Sequence, residues 1–211
     1  MSTNEEMVER LLSNDVIGRR IAECMLRFPR KEFLPPSLER EACVDTPLPI
    51  SNNQTTSAPS MIGIMLREAE IKEEMNVLEV GTGSGWQTAL LSCLVGEKGK
   101  VYTLEVFRDI HESAKSSLSR LPNVEPIFGN GVAGHPSSAP YDRIIVSAAA
   151  SEPYSGLLSQ LREGGIMIIP LRGPYFQHLY KITKTKEGIK KEGICPVIFV
   201  PMYEGRSFPP Q

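Results

Sequence analysis

Residues 75–87, MNVLEVGTGSGWQ, constrain the fold of this chain more than any other segment. A short apolar run leads directly into three glycines at alternate positions, Gly81, Gly83 and Gly85. Such glycines let the backbone turn through conformations that a side chain would forbid, and they let a ligand approach the main chain. The next segment would point free N–H groups and the positive end of a helix dipole at that ligand. The sequence therefore predicts a strand, a glycine turn and a helix that together bind a nucleoside-like ligand.

The spacing of these residues separates two kinds of nucleoside site. A dinucleotide fingerprint reads G-x-G-x-x-G, but Trp86 stands where its third glycine would fall. The pattern here is E-x-G-x-G-x-G, from Glu79 to Gly85, and Glu105 ends the next strand candidate, VYTLE. A carboxylate at that strand tip can accept hydrogen bonds from ribose hydroxyls. The alternative is a plain glycine turn beside a solvated glutamate; the two acids together with the glycines favour the nucleoside site.

The composition limits which classes of protein this chain can belong to. The chain has 211 residues, of which 41% are hydrophobic and 23% charged, enough for one domain with a full sheet between helices. Its formal net charge of −2 offers no electrostatic reason to expect a nucleic-acid partner. No apolar run approaches the ~20 residues that span a bilayer, and the acidic start, MSTNEEMVER, is unlike a signal peptide. We therefore expect a cytoplasmic protein that does not bind membranes.

The four cysteines, Cys24, Cys43, Cys93 and Cys195, lie far apart in the sequence. There is no CxxC pair, and too few histidines are nearby to build a metal cluster. We interpret all four as buried thiols in a reducing compartment and predict no metal site.

The segment before the glycine turn has three predicted parts. Residues 4–27 have the apolar spacing of two amphipathic helices. Four prolines in residues 30–50 predict an ordered but largely irregular arm. Residues 55–69 predict a helix, with Thr56 or Ser57 as its N-cap and a proline in its first turn.

From residue 76 onward, strand and helix patterns alternate, which predicts an α/β fold: a doubly wound, mostly parallel sheet with helices on both faces. Strand candidates are 76–80, 100–105, 124–128, 142–147 and 165–170, and helix candidates are 86–95, 107–120 and 154–161. A strand pair at 177–183 and 193–200 would follow, joined by a charged turn at 184–192.

Four stretches in this order, VLEVGTGSGW, VYTLE, YDRIIVSAAA and LREGGIMIIPL, resemble the class I S-adenosylmethionine-dependent methyltransferases. Two further stretches narrow the resemblance. VDTPLPI followed by QTTSAPSM, and GPYFQHLY with CPVIFVPM, are similar to the protein-L-isoaspartate O-methyltransferase family. The resemblance runs from about residue 27 to residue 202. It divides the single domain into N-terminal helices with a substrate-side arm (1–58), a cofactor-binding core (59–171), and C-terminal strands with a tail (172–211).

The resemblance implies a repair enzyme that uses S-adenosyl-L-methionine. Its substrates would be isoaspartyl-containing proteins and peptides, which it would methylate on the free α-carboxylate so that the ester recloses to a succinimide. A carboxylate is already ionised at neutral pH, its ordinary pKa being near ~3.9, so the transfer needs no general base. Orientation would supply the rate, an effect worth up to ~7–11 kcal/mol in model reactions. We expect a monomer.

The family motif QTTSAP implies that Ser57 is the active-site serine, whose hydroxyl would orient the substrate carboxylate. It also implies substrate contacts for Thr55, Thr56 and Val200. The structural alternative is that Ser57 only caps the following helix, a role worth about 1 kcal/mol. The cofactor-binding residues implied by the resemblance are Glu79, Gly81, Thr82, Gly83, Ser84, Gly85, Glu105, Asn130 and Gly131.

Two positions depart from the family pattern. Asn130 stands where the family typically has an aspartate that holds the adenine, and its carbonyl oxygen would face the adenine with its nitrogen turned outward. Ser60 stands where the family often has an aromatic residue or a histidine. Two other functions stay open at this point: a methyltransferase that acts on a small molecule or RNA, and a cofactor-binding regulatory protein without turnover.

Overall fold

A seven-stranded sheet forms the centre of the computed structural model, which describes residues 2–205. The helices are α1 (Asn4–Ser13), α2 (Arg19–Arg27), α3 (Pro59–Ala69), α4 (Trp86–Val95), α5 (Arg108–Leu118) and α6 (Ser155–Gln160). The strands are β1 (Leu48–Pro49), β2 (Thr55–Thr56), β3 (Asn76–Val80), β4 (Lys100–Glu105), β5 (Val124–Phe128), β6 (Tyr141–Val146), β7 (Leu161–Arg172), β8 (Gln177–Thr185) and β9 (Gly188–Val197). Short 3-10 turns lie at Arg30–Phe33, Pro36–Glu41, Gly131–Ala133 and Pro136–Ser138.

The order of strands across the sheet is β5-β4-β3-β6-β7-β8-β9. The first five are parallel, and β8 and β9 join as antiparallel strands at one edge. The chain runs outward from β3 through β4 to β5 and then returns to the other side of β3 as β6. Open α/β sheets bind ligands at such a reversal, in the crevice beyond the carboxyl ends of the strands. This crevice lies at the ends of β3 and β6.

Helices cover both faces of the sheet. The parallel strands are apolar on both sides, as expected for strands that are buried twice. Val77, Ile145 and Ile168 belong to a core that includes side chains of α1 to α5. Ile144 and Met167 belong to a second core on the opposite face, which includes α6. The predicted doubly wound, mostly parallel fold is confirmed.

Several predicted elements keep their exact bounds, namely the strands at 76–80, 100–105 and 124–128 and the helix at 86–95. The other strands and helices of the core are present with ends shifted by up to four residues. The predicted charged turn at 184–192 is wrong, because the two strands run almost to each other and only residues 186–187 turn. As an edge strand, β9 has one side in solvent, so charged side chains are compatible with it. The predicted tail, residues 207–211, lies outside the described residues.

The start of α3 differs from the prediction. Thr56 belongs to β2, which pairs with β1, and Ala58 is the N-cap of the helix, without a side-chain hydrogen bond. The carboxylate of Asp45 accepts a hydrogen bond from the Ser60 N–H at 2.8 Å and thereby satisfies a free donor of the first turn. The prediction that Thr56 or Ser57 caps this helix is therefore wrong.

Two of the four cysteines form a disulfide. Helix α2 packs on α4, and this contact joins Cys24 to Cys93 across 69 residues of sequence with 5.8 Å between their Cα atoms. Cys43 and Cys195 are free and partly buried. The prediction of four thiols is thus wrong for Cys24 and Cys93. Their spacing in the sequence does not reveal that α2 and α4 are in contact. Within residues 2–205, no helix has both the length and the apolar character needed to cross a bilayer.

Candidate active site

A cleft opens at the sheet reversal, beyond the carboxyl ends of β3, β4 and β6. Its empty space, counted to its open mouth and including the solvent there, is about 820 Å³. Most of the sequence-predicted site residues line it: Thr55, Thr56, Ser57, Gly81, Thr82, Gly83, Ser84, Glu105, Asn130, Gly131 and Val200. Glu79 and Gly85 are not part of the lining.

The glycine turn has the backbone geometry that the sequence predicted. Gly81, Gly83 and Gly85 have φ values of +95°, +55° and +85°, a region that disfavours side chains. Gly85 is also the N-cap of α4, and a Cβ there would lie 3.3 Å from the side chain of Leu118. At Gly131, a Cβ would lie 2.1 Å from Val80. A side chain would therefore be strained at the three glycines of the turn and would clash with Val80 at Gly131.

Glu105 ties the glycine turn to the end of β4. One carboxylate oxygen accepts from the N–H groups of Val106 and Phe107 at 2.9 and 3.1 Å, and the other accepts from Gly83 at 3.1 Å. Burial raises the pKa of Glu105, and these N–H donors oppose that rise. A carboxylate has about four lone-pair positions, so it keeps capacity for a ribose hydroxyl. The donor set and the glycine cradle fit a nucleoside cofactor.

Glu79 lies beneath the turn and is fully buried. Its carboxylate accepts from Gln87 Nε2 at 3.0 Å, from Thr88 Oγ1 at 2.5 Å and from Thr103 Oγ1 at 2.6 Å. Burial raises its pKa to about 7, and the three donors only partly offset that effect. Glu79 acts on the cleft through neighbouring side chains.

Asn130 adopts a different orientation from the one the sequence suggested. Its Oδ1 accepts from the Val132 N–H at 3.0 Å, and its Nδ2 donates to the carbonyl oxygen of Gly205 at 2.8 Å. The oxygen expected to face the adenine thus caps a 3-10 turn. The nitrogen holds the C-terminal segment, which brings Met202 and Tyr203 into the cleft lining.

A second cleft adjoins the first. Phe176 and Ile198 line this second cleft, with 65% and 94% of their surface exposed. Ser60 and Met61 line it as well. Four residues line both clefts, namely Thr55, Ser57, Ser147 and Val200. A cofactor in the first cleft and an acceptor in the second would meet at these residues.

Arg30 holds the arm that carries Ser57. Its side chain is 1% exposed, and its guanidinium lies 5.6 Å from the Trp86 ring. Burial lowers the Arg30 pKa to about 10, so the group is a cation at neutral pH. The guanidinium donates to the carbonyl oxygens of Ala42, Val44, Thr46, Thr56 and Ser57 at 3.0 to 3.5 Å.

Ser147, Gln87 and Arg30 are among the site residues that were not predicted from the sequence. Ser147 follows β6 directly, and the rule that parallel strands end at one edge could have indicated it. Gln87 opens α4 after the glycine turn, where helix N-terminal residues approach a ligand. Arg30 has no local signal, because its partners lie 12 to 27 residues away from it in the sequence. Among the described residues, no group of three or more His, Cys, Asp and Glu side chains could hold a metal ion.

A model of the family described as protein-L-isoaspartate(D-aspartate) O-methyltransferase (PCMT) matches residues 2–207. The chain belongs to this family. Among curated relatives, the protein-L-isoaspartate O-methyltransferase of Ignicoccus hospitalis is 45% identical over 203 residues, covering 94% of this chain and 96% of the relative. That of Methanococcus maripaludis strain S2 is 42% identical over 205 residues, with 96% of each covered.

Solved structures agree with this membership. The structure described as a beta-aspartate methyltransferase (PCMT) from Plasmodium falciparum, in complex with S-adenosyl-L-homocysteine, has a TM-score of 0.87 at 26% identity. It covers 97% of this chain and 100% of its own. A second structure, named protein-L-isoaspartate O-methyltransferase, also has a TM-score of 0.87 at 29% identity, covering 98% of this chain and 67% of its own. The PCMT fold therefore extends through the arm and the C-terminal strands.

Proposed function

We propose that this chain transfers a methyl group from S-adenosyl-L-methionine to the free α-carboxylate of L-isoaspartyl residues in damaged proteins and peptides. The resulting ester recloses to a succinimide, which can reopen as aspartate. The observation that carries the proposal is the junction of two clefts at Ser57 in a chain that belongs to the PCMT family over nearly its whole length.

The first cleft is the cofactor site of this proposal. Glu105 would accept a hydrogen bond from the ribose, and the turn at Gly81 and Gly83 would let the cofactor approach the main chain. The lack of a side chain at Gly131 lets the opposite wall pack against Val80. When bound, the cofactor supplies an electrophilic methyl group on a sulfonium centre. These residues would hold the cofactor in the first cleft, next to the junction with the second cleft.

At the junction, Ser57 positions the acceptor. Among residues 2–205 the Ser57 hydroxyl makes no hydrogen bond, so its O–H is available to the substrate carboxylate. Thr55 and Val200 line the same place, and Thr56 accepts a hydrogen bond from Ser84 at 3.2 Å, which joins the arm to the glycine turn. The acceptor is already an anion, so these residues orient it and exclude water without taking a proton.

The second cleft favours a polypeptide over RNA or a small metabolite. Phe176 and Ile198 expose apolar surface beside the junction, where side chains of a peptide can pack. We further propose a monomer without a nucleic-acid partner that works in the cytoplasm. The net charge of −2 supports the absence of a nucleic-acid partner, and the presence of both clefts within one chain supports the monomer.

The test uses a protein that has been aged in neutral buffer as the methyl acceptor, together with labelled cofactor. An excess of unlabelled isoaspartyl peptide should abolish labelling of the aged protein, whereas the matching aspartyl peptide should not. Labelling that neither peptide reduces would indicate another acceptor. Calorimetric cofactor binding without any labelling would indicate a regulatory protein without turnover.

A further inference from the structure

We propose that Ser147 is a second hydroxyl that positions the acceptor carboxylate, opposite Ser57. This inference rests on the proposed methyl transfer to a carboxylate and adds a positioning residue to it. Ser147 is one of the four residues that line both clefts. Of these four, only it comes from the end of a central strand of the sheet.

The backbone of Ser147 is fixed by the sheet reversal. Its N–H donates to the carbonyl oxygen of Val80 at 2.9 Å, which extends the pairing of β3 and β6 by one residue. Its Cβ also lies where a side chain on Gly81 would reach, 3.4 Å from the position of a Cβ there. Ser147 therefore stands directly beside the first glycine of the cofactor turn.

A buried relay sets the direction of the Ser147 hydroxyl. The amide nitrogen of Gln87 donates to Glu79 Oε1 at 3.0 Å and to Ser147 Oγ at 3.0 Å. A side-chain amide has two N–H donors, and here each has one acceptor. The Ser147 oxygen therefore receives a hydrogen bond, so its own proton points elsewhere. No acceptor for that proton is present among residues 2–205.

The free proton suits an anionic acceptor. A carboxylate offers two oxygens to donors, and Ser57 and Ser147 each present an O–H at the junction of the clefts. With one hydroxyl on each oxygen, the plane of the carboxylate is fixed and a lone pair stays free for the incoming methyl. Glu79 and Gln87 act on the substrate only through Ser147.

The experiment compares the wild type with Ser147→Ala and with an isosteric pair, Ser147→Thr and Ser147→Val. The pair shares the same added bulk beside Gly81 and differs in the hydroxyl alone. Ser119→Ala, which removes an exposed hydroxyl at the end of α5, is the matched control. The kinetics of isoaspartyl-peptide methylation and calorimetric affinities for S-adenosylmethionine and S-adenosylhomocysteine are measured for every variant.

We expect Ser147→Ala and Ser147→Val to lower kcat/KM for the isoaspartyl peptide ten-fold or more, with both cofactor affinities within two-fold of the wild type. Ser147→Thr should stay within about three-fold of the wild type. Equal activity of the Thr and Val variants would overturn the role of the hydroxyl, as would a loss of cofactor affinity that accounts for the loss of rate. A wild-type protein that does not methylate the peptide at all would instead overturn the proposed function itself.

Discussion

The guanidinium of Arg30 donates a hydrogen bond of 3.0 Å to the carbonyl oxygen of Ser57. Arg30 follows the N-terminal helices, whereas Ser57 stands at the meeting point of the two clefts. The same guanidinium also binds four other carbonyl oxygens of the arm. The two terminal nitrogens, with four N–H groups in one plane, make all five contacts, while Nε has no partner within residues 2–205. A lysine ammonium with three N–H groups could not serve the same set. Arg30 thus determines where the proposed catalytic hydroxyl stands without contacting the substrate.

We expect Arg30→Lys to lower the free energy of unfolding by at least about 2 kcal/mol, because buried carbonyl oxygens are left without donors. Peptide turnover should fall as well, even at temperatures where the variant is folded. Urea unfolding followed by steady-state kinetics measures both. Arg19→Lys, at an exposed position of α2, is the matched control. Wild-type stability and turnover in Arg30→Lys would show that the arm does not depend on this side chain.

Ser57→Ala separates catalysis from helix capping. Ala58 is the N-cap of α3, and the Asp45 carboxylate accepts the hydrogen bond from the Ser60 N–H in the first turn. Loss of the Ser57 hydroxyl should therefore leave the melting temperature unchanged. We expect turnover on isoaspartyl peptide to fall ten-fold or more, about 1.4 kcal/mol of barrier. Asp45→Ala should instead lower the free energy of unfolding by about 1 kcal/mol, because the Ser60 N–H loses its acceptor. If Ser57→Ala turns over normally, the serine has no role in positioning the acceptor.

Glu105→Ala should weaken S-adenosylmethionine and S-adenosylhomocysteine alike, because the ribose is common to both. A lost hydrogen bond to a charged group is worth about 1.5–3 kcal/mol, and the Gly83 N–H loses its acceptor as well. Calorimetry with both ligands measures the effect, and Glu112→Ala on the exposed side of α5 serves as the control. Unchanged dissociation constants would remove Glu105 from the ribose site.

Glu79 predicts a specific pH dependence of stability. Its pKa rises from an ordinary 4.5 to about 7 in the folded protein, so between these values the native state binds a proton that the unfolded chain has released. The stability that this extra proton contributes to the folded state is fully present below about pH 4.5 and is lost as the pH rises through about 7. The substitution Glu79→Gln removes this pH-dependent contribution to stability.

The stability of Glu79→Gln relative to wild type should therefore increase from pH 4.5 to above pH 7, by on the order of 3 kcal/mol. Urea unfolding of both proteins across that range measures the difference. A difference that does not change with pH would mean that Glu79 titrates as an ordinary surface glutamate.

The central fold was predictable because its signals are local. The apolar run at 76–80 is followed immediately by Gly81, and the strand ending at Glu105 has a similarly clear boundary. Glycines that occupy positive φ and strands that are buried on both faces leave a direct pattern in the sequence. The fold and the position of the cofactor cleft could both be derived from these segments.

The remaining features depend on contacts between distant segments. Cys24 meets Cys93 only because α2 packs on α4, and Arg30 finds its acceptors only when the arm folds around it. Asp45 caps α3 from fourteen residues before its first residue, where no local capping pattern exists. Gln87 and Ser147 likewise become partners only when β6 returns beside β3. Such side-chain pairs form only in the tertiary structure, and the periodicity of apolar residues in the sequence does not predict them.

The most direct test of the account compares two peptides of identical sequence, one with an L-isoaspartyl residue and one with an L-aspartyl residue. The purified chain is incubated with each and with methyl-labelled S-adenosylmethionine, and base-labile label on the peptide is measured. We expect rapid formation of a methyl ester on the isoaspartyl peptide, followed by its conversion to the succinimide, and no label on the aspartyl peptide. Equal labelling of both peptides, or of neither, would contradict the account.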